Sequence, residues 1–130
     1  MDVLRSIFLL IPGVIHLLPV TGVLGSPRLA ALYGVGISEP NILIMMQHRA
    51  VLLGTLGVFM IVAAFRSELQ ISAIIAGLLS TLSFIVLAVL VGGYNESIQR
   101  VMVADVIAIV CLLIAAASLL FSKEQAKQSL

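Results

Sequence analysis

Four ionisable residues, His16, His48, Arg49 and Asp105, lie inside long apolar runs of this chain. A carboxylate and a guanidinium can form a charge pair, and imidazoles exchange protons near neutral pH. Such groups suit proton transfer or the stabilisation of an anion. Burying any one of them in lipid costs at least ~2.5–3.5 kcal/mol, so each needs a partner or a wet cavity, and ionisable groups at such depth mark functional sites by default.

Their spacing puts them at one level. At a helical rise of ~1.5 Å per residue, His48 lies roughly 10 Å in from Asn41, Asp105 roughly 12 Å in from Ser97, and His16 roughly 12 Å back from Leu24. Ser83 lies equally far before Val91. Four segments of alternating direction therefore bring polar groups to one depth, near one end. Successive helical positions are ~100° apart, so His48 and Arg49 cannot point the same way. Arg49 is expected to face Asp105, with His48 toward a neighbouring helix or the cavity. Catalytic roles, if the site has chemistry, fall to His48, Arg49 and Asp105. His16, Glu39, Asn41, Tyr94, Asn95 and Arg100 are candidate ligand-binding residues, and Tyr33 joins them at the mouth.

The segments that must carry these groups are four apolar stretches, at about 3–24, 41–65, 69–91 and 97–121. Each is long enough to cross a hydrocarbon layer of roughly 30 Å. Helix is the expected state, because an open strand would leave backbone groups unpaired in lipid. Gly25-Ser26-Pro27 ends the first stretch, and Ser38-Glu39-Pro40 has the character of a helix start. Arg66-Ser67-Glu68 and Gly92-Gly93-Tyr94-Asn95-Glu96 are short connections. The segment after Lys123 is polar and expected to fray. The first stretch reads as a span kinked near Pro12 and Pro19 rather than a cleaved leader, since Asp2 weakens the basic start and Pro12, Gly13 and His16 interrupt the apolar run. Small residues recur at helical spacing: Gly54 and Gly57; Ala73, Gly77, Ser80 and Ser83; Ala104, Ala108, Cys111, Ala115 and Ser118. In lipid such stripes let helices approach closely. The fold expected is all-α, a single bundle of four transmembrane helices over residues 1–130.

Composition agrees. Apolar residues make up 62% of the 130 and charged residues 10%, against roughly 45–50% and 25% in soluble domains. A small soluble domain has too much surface to hide that excess. The net charge of +1, with no basic run carrying aromatics, excludes a nucleic-acid surface. A single cysteine, Cys111, excludes an internal disulfide or a CxxC redox pair. No zinc spacing and no phosphate-cradling glycine loop is present, so no metal is expected.

The string Met46-Gln47-His48-Arg49-Ala50 followed by Leu53-Gly54, with Leu32-Tyr33-Gly34 upstream and Gly92-Gly93-Tyr94-Asn95 then Asp105 downstream, resembles small four-helix bacterial membrane proteins of the DoxX-like type. The resemblance covers most of the chain. It implies a four-helix membrane fold and says little about activity.

The function expected from these residues is a pocket within the membrane, near the non-cytoplasmic face, for a small apolar or amphipathic molecule such as a lipid, isoprenoid or quinone, with acid–base chemistry open to it. A small proton-coupled transporter acting as a dimer, with Asp105 as its carboxylate, is the alternative, as is a non-catalytic accessory subunit. Haem held by His16 and His48 is a further alternative. The partners expected are the bilayer, a small apolar ligand and a second copy of the chain. Arg5, Arg66, Lys123 and Lys127 at one end against Arg28 and Arg100 at the other favour cytoplasmic termini in a bacterial inner membrane.

Overall fold

The computed structural model describes residues 2–130. Five α-helices make up the fold: α1 (Asp2–Leu17), α2 (Ser26–Tyr33), α3 (Pro40–Ala64), α4 (Gln70–Val91) and α5 (Glu96–Gln128). No strand occurs among the described residues. A 3-10 helix over Leu18–Leu24 prolongs α1, and a 3-10 turn over Ser67–Leu69 precedes α4. Counting these extensions, four helical segments are long and apolar enough to cross a membrane: Val3–Leu24, Pro40–Ala64, Ser67–Val91 and Glu96–Gln128. The chain is an integral membrane protein built as a four-helix bundle, and α2 is an eight-residue addition at one end.

Local chemistry explains the breaks. Pro19 has no N–H to continue the α-helical ladder, and the first span tightens into the 3-10 helix at Leu18. Gly34 closes α2 at φ 69°, a left-handed conformation, and its N–H bonds Ala30 O at 2.8 Å. Glu39 caps α3, with Pro40 in the first turn. Asn95 caps α5 through its Oδ1, which accepts from Ile98 N at 2.9 Å. The helix α5 runs on to Gln128, so the polar tail after Lys123 continues the helix instead of fraying at that point.

The helices pack in a closed ring, α1 against α3, α3 against α4, α4 against α5 and α5 against α1. Short connections make the helices joined by them antiparallel. Close approach comes from the small residues. A Cβ placed on Gly57 would lie 2.7 Å from Gly13 O, so α1 and α3 cross backbone to backbone. The core at the closed end is formed by Leu9, Met60, Ala63, Ala73, Leu112 and Ala115, all fully buried. Arg5 is buried there too, donating to Gln70 Oε1 at 3.0 Å and Ser122 Oγ at 2.9 Å. The other end holds α2, which packs on the 3-10 helix and the start of α5 and carries a second apolar cluster of Leu29, Tyr33 and Ile37.

Candidate functional site

Below α2 the bundle is not filled. A chamber of about 40 Å³ lies between α1, α3, α4 and α5, and its polar lining is His16, Tyr33, Arg49, Ser80 and Asp105. Ile15, Pro19, Leu53, Phe84 and Val101 complete its wall. At ~10–15 Å³ per water-sized probe, the chamber admits a group no larger than a few waters.

Each polar residue has an identifiable reason for its position. Tyr33 is the last residue of α2, held over the bundle by Asn95 Nδ2, which donates to Tyr33 O at 2.8 Å. Gly34 makes that contact possible, because a Cβ there would sit 2.9 Å from both Asn95 Nδ2 and Ser97 Oγ. The other end of the α2 segment is fastened by the Ser26 hydroxyl, which donates to Ile37 O. Arg49 reaches up from α3 and donates from Nη1 to the Tyr33 hydroxyl at 2.6 Å. Its guanidinium also lies 5.3 Å from the Tyr33 ring centroid and 5.4 Å from that of Phe84. Two aromatic faces and a charge-assisted hydrogen bond thus hold the cation.

His16 is buried on α1. Its Nδ1 lies 2.8 Å from Pro12 O, and its Nε2 lies 3.2 Å from Ser80 Oγ on α4. A carbonyl oxygen only accepts, so Nδ1 carries the proton; Nε2 of a neutral ring then accepts from the serine hydroxyl. Asp105 faces the chamber from α5. No hydrogen bond from the described residues reaches its carboxylate, and no ion pair joins it to Arg49. The two charges share the chamber without direct contact.

A second, larger opening adjoins the chamber. This cleft, about 260 Å³, runs between the end of α1, α2 and α5, and its walls include Leu18, Ala31, Leu32, Val101 and Ala104. Ile15, Pro19, Tyr33, Val101 and Asp105 line both cavities. Arg100 and Ser97 stand at the cleft's polar edge, where Arg100 is exposed.

The shared depth of His16, Arg49 and Asp105 therefore brings those three to one chamber. Other expected positions differ. Arg49 binds Tyr33 rather than Asp105. His48 is exposed on the outer face of α3 and lines neither cavity, so the two histidines do not share a site. Ser83 is also exposed and donates to Ser80 O; Ser80 takes the inner place. The 3-10 geometry accounts for this shift. A 3-10 helix rises ~2.0 Å per residue, so His16 lies roughly 15 Å from Leu24. That matches Ser80, which is roughly 16 Å from Val91 along α4.

Of the other residues expected at the mouth, Glu39 and Asn95 act on the backbone. Glu39 accepts from Asn41 N, Ile42 N and Asn41 Nδ2 at 3.1, 3.0 and 2.7 Å. Those donors, the backbone N–H of Asn41 first, hold the carboxyl below its ordinary range. Asn41 is thus Glu39's partner. Tyr94 is exposed beside an open groove on the outer face of α5. Residues that sequence reasoning left out of the site include Ser80, Phe84 and Pro19, beside the aliphatic Ile15, Leu53 and Val101. The stripe Ala73–Gly77–Ser80 points to the first two, because Phe84 continues it by one helical turn. No group of three or more metal-ligating side chains occurs among the described residues.

No family model, curated protein or solved structure matches this chain.

Proposed function

We propose that the chamber and cleft together bind a small apolar or amphipathic molecule that enters sideways from the bilayer. The observation carrying this reading is that Ile15, Pro19, Tyr33, Val101 and Asp105 line both cavities. The cleft is walled mostly by aliphatic side chains and ends on Asp105 and Tyr33, which also face the chamber. An apolar body in the cleft would place a polar head among Arg49, Tyr33 and Asp105. Binding pockets have this character, an apolar lining with few convergent polar groups. Asp105 is the group that would accept a hydrogen bond from the head.

The same reading treats the chain as a protein of the DoxX-like type in a bacterial inner membrane. Cytoplasmic termini are supported by four basic residues at the closed end against two at the site end. The site then lies in the outer half of the bilayer. The partners proposed with it are the bilayer and a second copy of the chain.

The test is to fill the cleft. Ala104 lines it, half-buried on α5. Native mass spectrometry of protein released from bilayers is expected to show a small-molecule adduct on the wild type and none on Ala104→Phe. An adduct on both, or on neither, overturns the proposal.

A further inference from the structure

We infer that the head group this site takes is a neutral hydroxyl, and that the ligand is a single-chain alcohol with an aliphatic or isoprenoid tail. The inference rests on the binding reading above and deepens it.

The chamber holds one cation, Arg49, and one anion, Asp105, and no other charged residue lines it. His16 satisfies both its contacts as a neutral ring. The site is thus balanced before anything binds. An anionic head would meet Asp105 and an ammonium head would meet Arg49, and neither finds a net opposite charge to offset its desolvation. A hydroxyl meets no such conflict, because it donates once and accepts as well. Its hydrogen would go to the Asp105 carboxylate, which accepts nothing from the described residues. Its oxygen would accept from Arg49, of whose five N–H groups one is given to Tyr33.

Size points the same way. A chamber of about 40 Å³ takes a hydroxyl or hydroxymethyl group and is too small for a phosphate ester or a quinone ring. The cleft of about 260 Å³, walled by Leu18, Leu32 and Ala104, takes a slender apolar chain. Arg100 is the remaining charge nearby, but it lies exposed at the rim, 3.5 Å from Ser97 Oγ, and water screens it.

The experiment compares three probes of identical chain and diazirine, differing only in head: a long-chain alcohol, the fatty acid and the alkylammonium. The full chain is reconstituted in nanodiscs near neutral pH, and labelled peptides are mapped after photolysis. The expected result is saturable labelling around Leu18, Leu32 and Ala104, with the alcohol at least about tenfold tighter than either charged probe. Two charge-removing variants provide an inverse readout. Asp105→Asn leaves the chamber net positive and should transfer the preference to the fatty acid; Arg49→Gln leaves it net negative and should favour the alkylammonium. A wild type that prefers a charged probe overturns the hydroxyl assignment while leaving the pocket intact. So does a preference unmoved in both variants. Unsaturable labelling spread over the exposed helix faces by all three probes overturns pocket and assignment together. The wild-type comparison stands even where a variant fails to fold.

Discussion

The Arg49 guanidinium donates to the Tyr33 hydroxyl at 2.6 Å and lies 5.3 Å from the centroid of the same ring. One side chain thus joins α3 to α2 in two ways, and the short helix covers the chamber because its last residue is held from below.

Tyr33→Phe separates the two contacts. The ring and its cation–π contact remain, and a donor of a half-buried charge loses its partner. The expected cost is about 1–3 kcal/mol of stability, read as a lower midpoint in reversible unfolding from detergent micelles. Phe84→Leu removes the other aromatic face and should cost less, about 0.5–2 kcal/mol. An unchanged midpoint in Tyr33→Phe would show that the hydroxyl contact is not maintained in the folded protein.

His16 offers a test that does not depend on stability. Its Nδ1 faces the Pro12 carbonyl and its Nε2 the Ser80 hydroxyl. Nitrogen-15 NMR of labelled histidine should therefore find His16 as the Nδ1–H tautomer. In Ser80→Ala the Nε2 resonance should shift while Nδ1 stays protonated. An Nε2–H tautomer in the wild type contradicts the arrangement.

Much of the fold is legible in the sequence because lipid leaves few options: four apolar runs of spanning length, broken by Gly, Pro and charge, can only be helices. The depth of His16, Arg49 and Asp105 is legible from the same counting. The rotation of α3 is harder to read. A helix between lipid and an apolar core is apolar all round, so no polar face marks its outside. Its phase lies instead in the small residues. Gly57 packs on Gly13, and His48, nine residues earlier, falls about 180° away on the exposed side. A histidine touching none of the chamber is dispensable to it. His48→Leu is expected to leave photolabelling of the cleft unchanged and to keep the unfolding midpoint within about 0.5 kcal/mol or raise it. A loss of cleft labelling would place His48 in the site after all.

The α1–α3 crossing gives a sharper contrast. An added Cβ at Gly57 meets Gly13 O at 2.7 Å and Leu17 N at 3.1 Å, and backbone cannot step aside as a side-chain tip can. Gly57→Ala should cost about 1–3 kcal/mol through separation of the two helices. At Gly36 nothing lies within 4 Å of the added carbon, so Gly36→Ala should stay within about 0.5 kcal/mol of wild type. Equal midpoints for the two variants would mean that the crossing is looser than 2.7 Å implies.

The cap of α3 predicts a pH dependence whose sign is fixed. Glu39 accepts from the N–H groups of Asn41 and Ile42, and these bonds lower its titration in the folded chain relative to the unfolded one. A carboxyl with a lowered folded value stabilises above its unfolded range, and that stabilisation is lost as pH falls through the folded value. The cap is therefore intact at neutral pH and released only under acid conditions, below the ordinary glutamate range of about 4.3. Proton–nitrogen spectra should show the Asn41 and Ile42 amide resonances moving together in one acidic transition. Glu39→Gln should abolish that transition, because a carboxamide oxygen accepts at every pH. Amides that titrate at or above the ordinary glutamate range in the wild type would mean that the backbone donors do not hold the carboxylate. The first turn of α3 would then need another source of order, and the approach of Arg49 to Tyr33, nine residues further along the helix, would not depend on this cap.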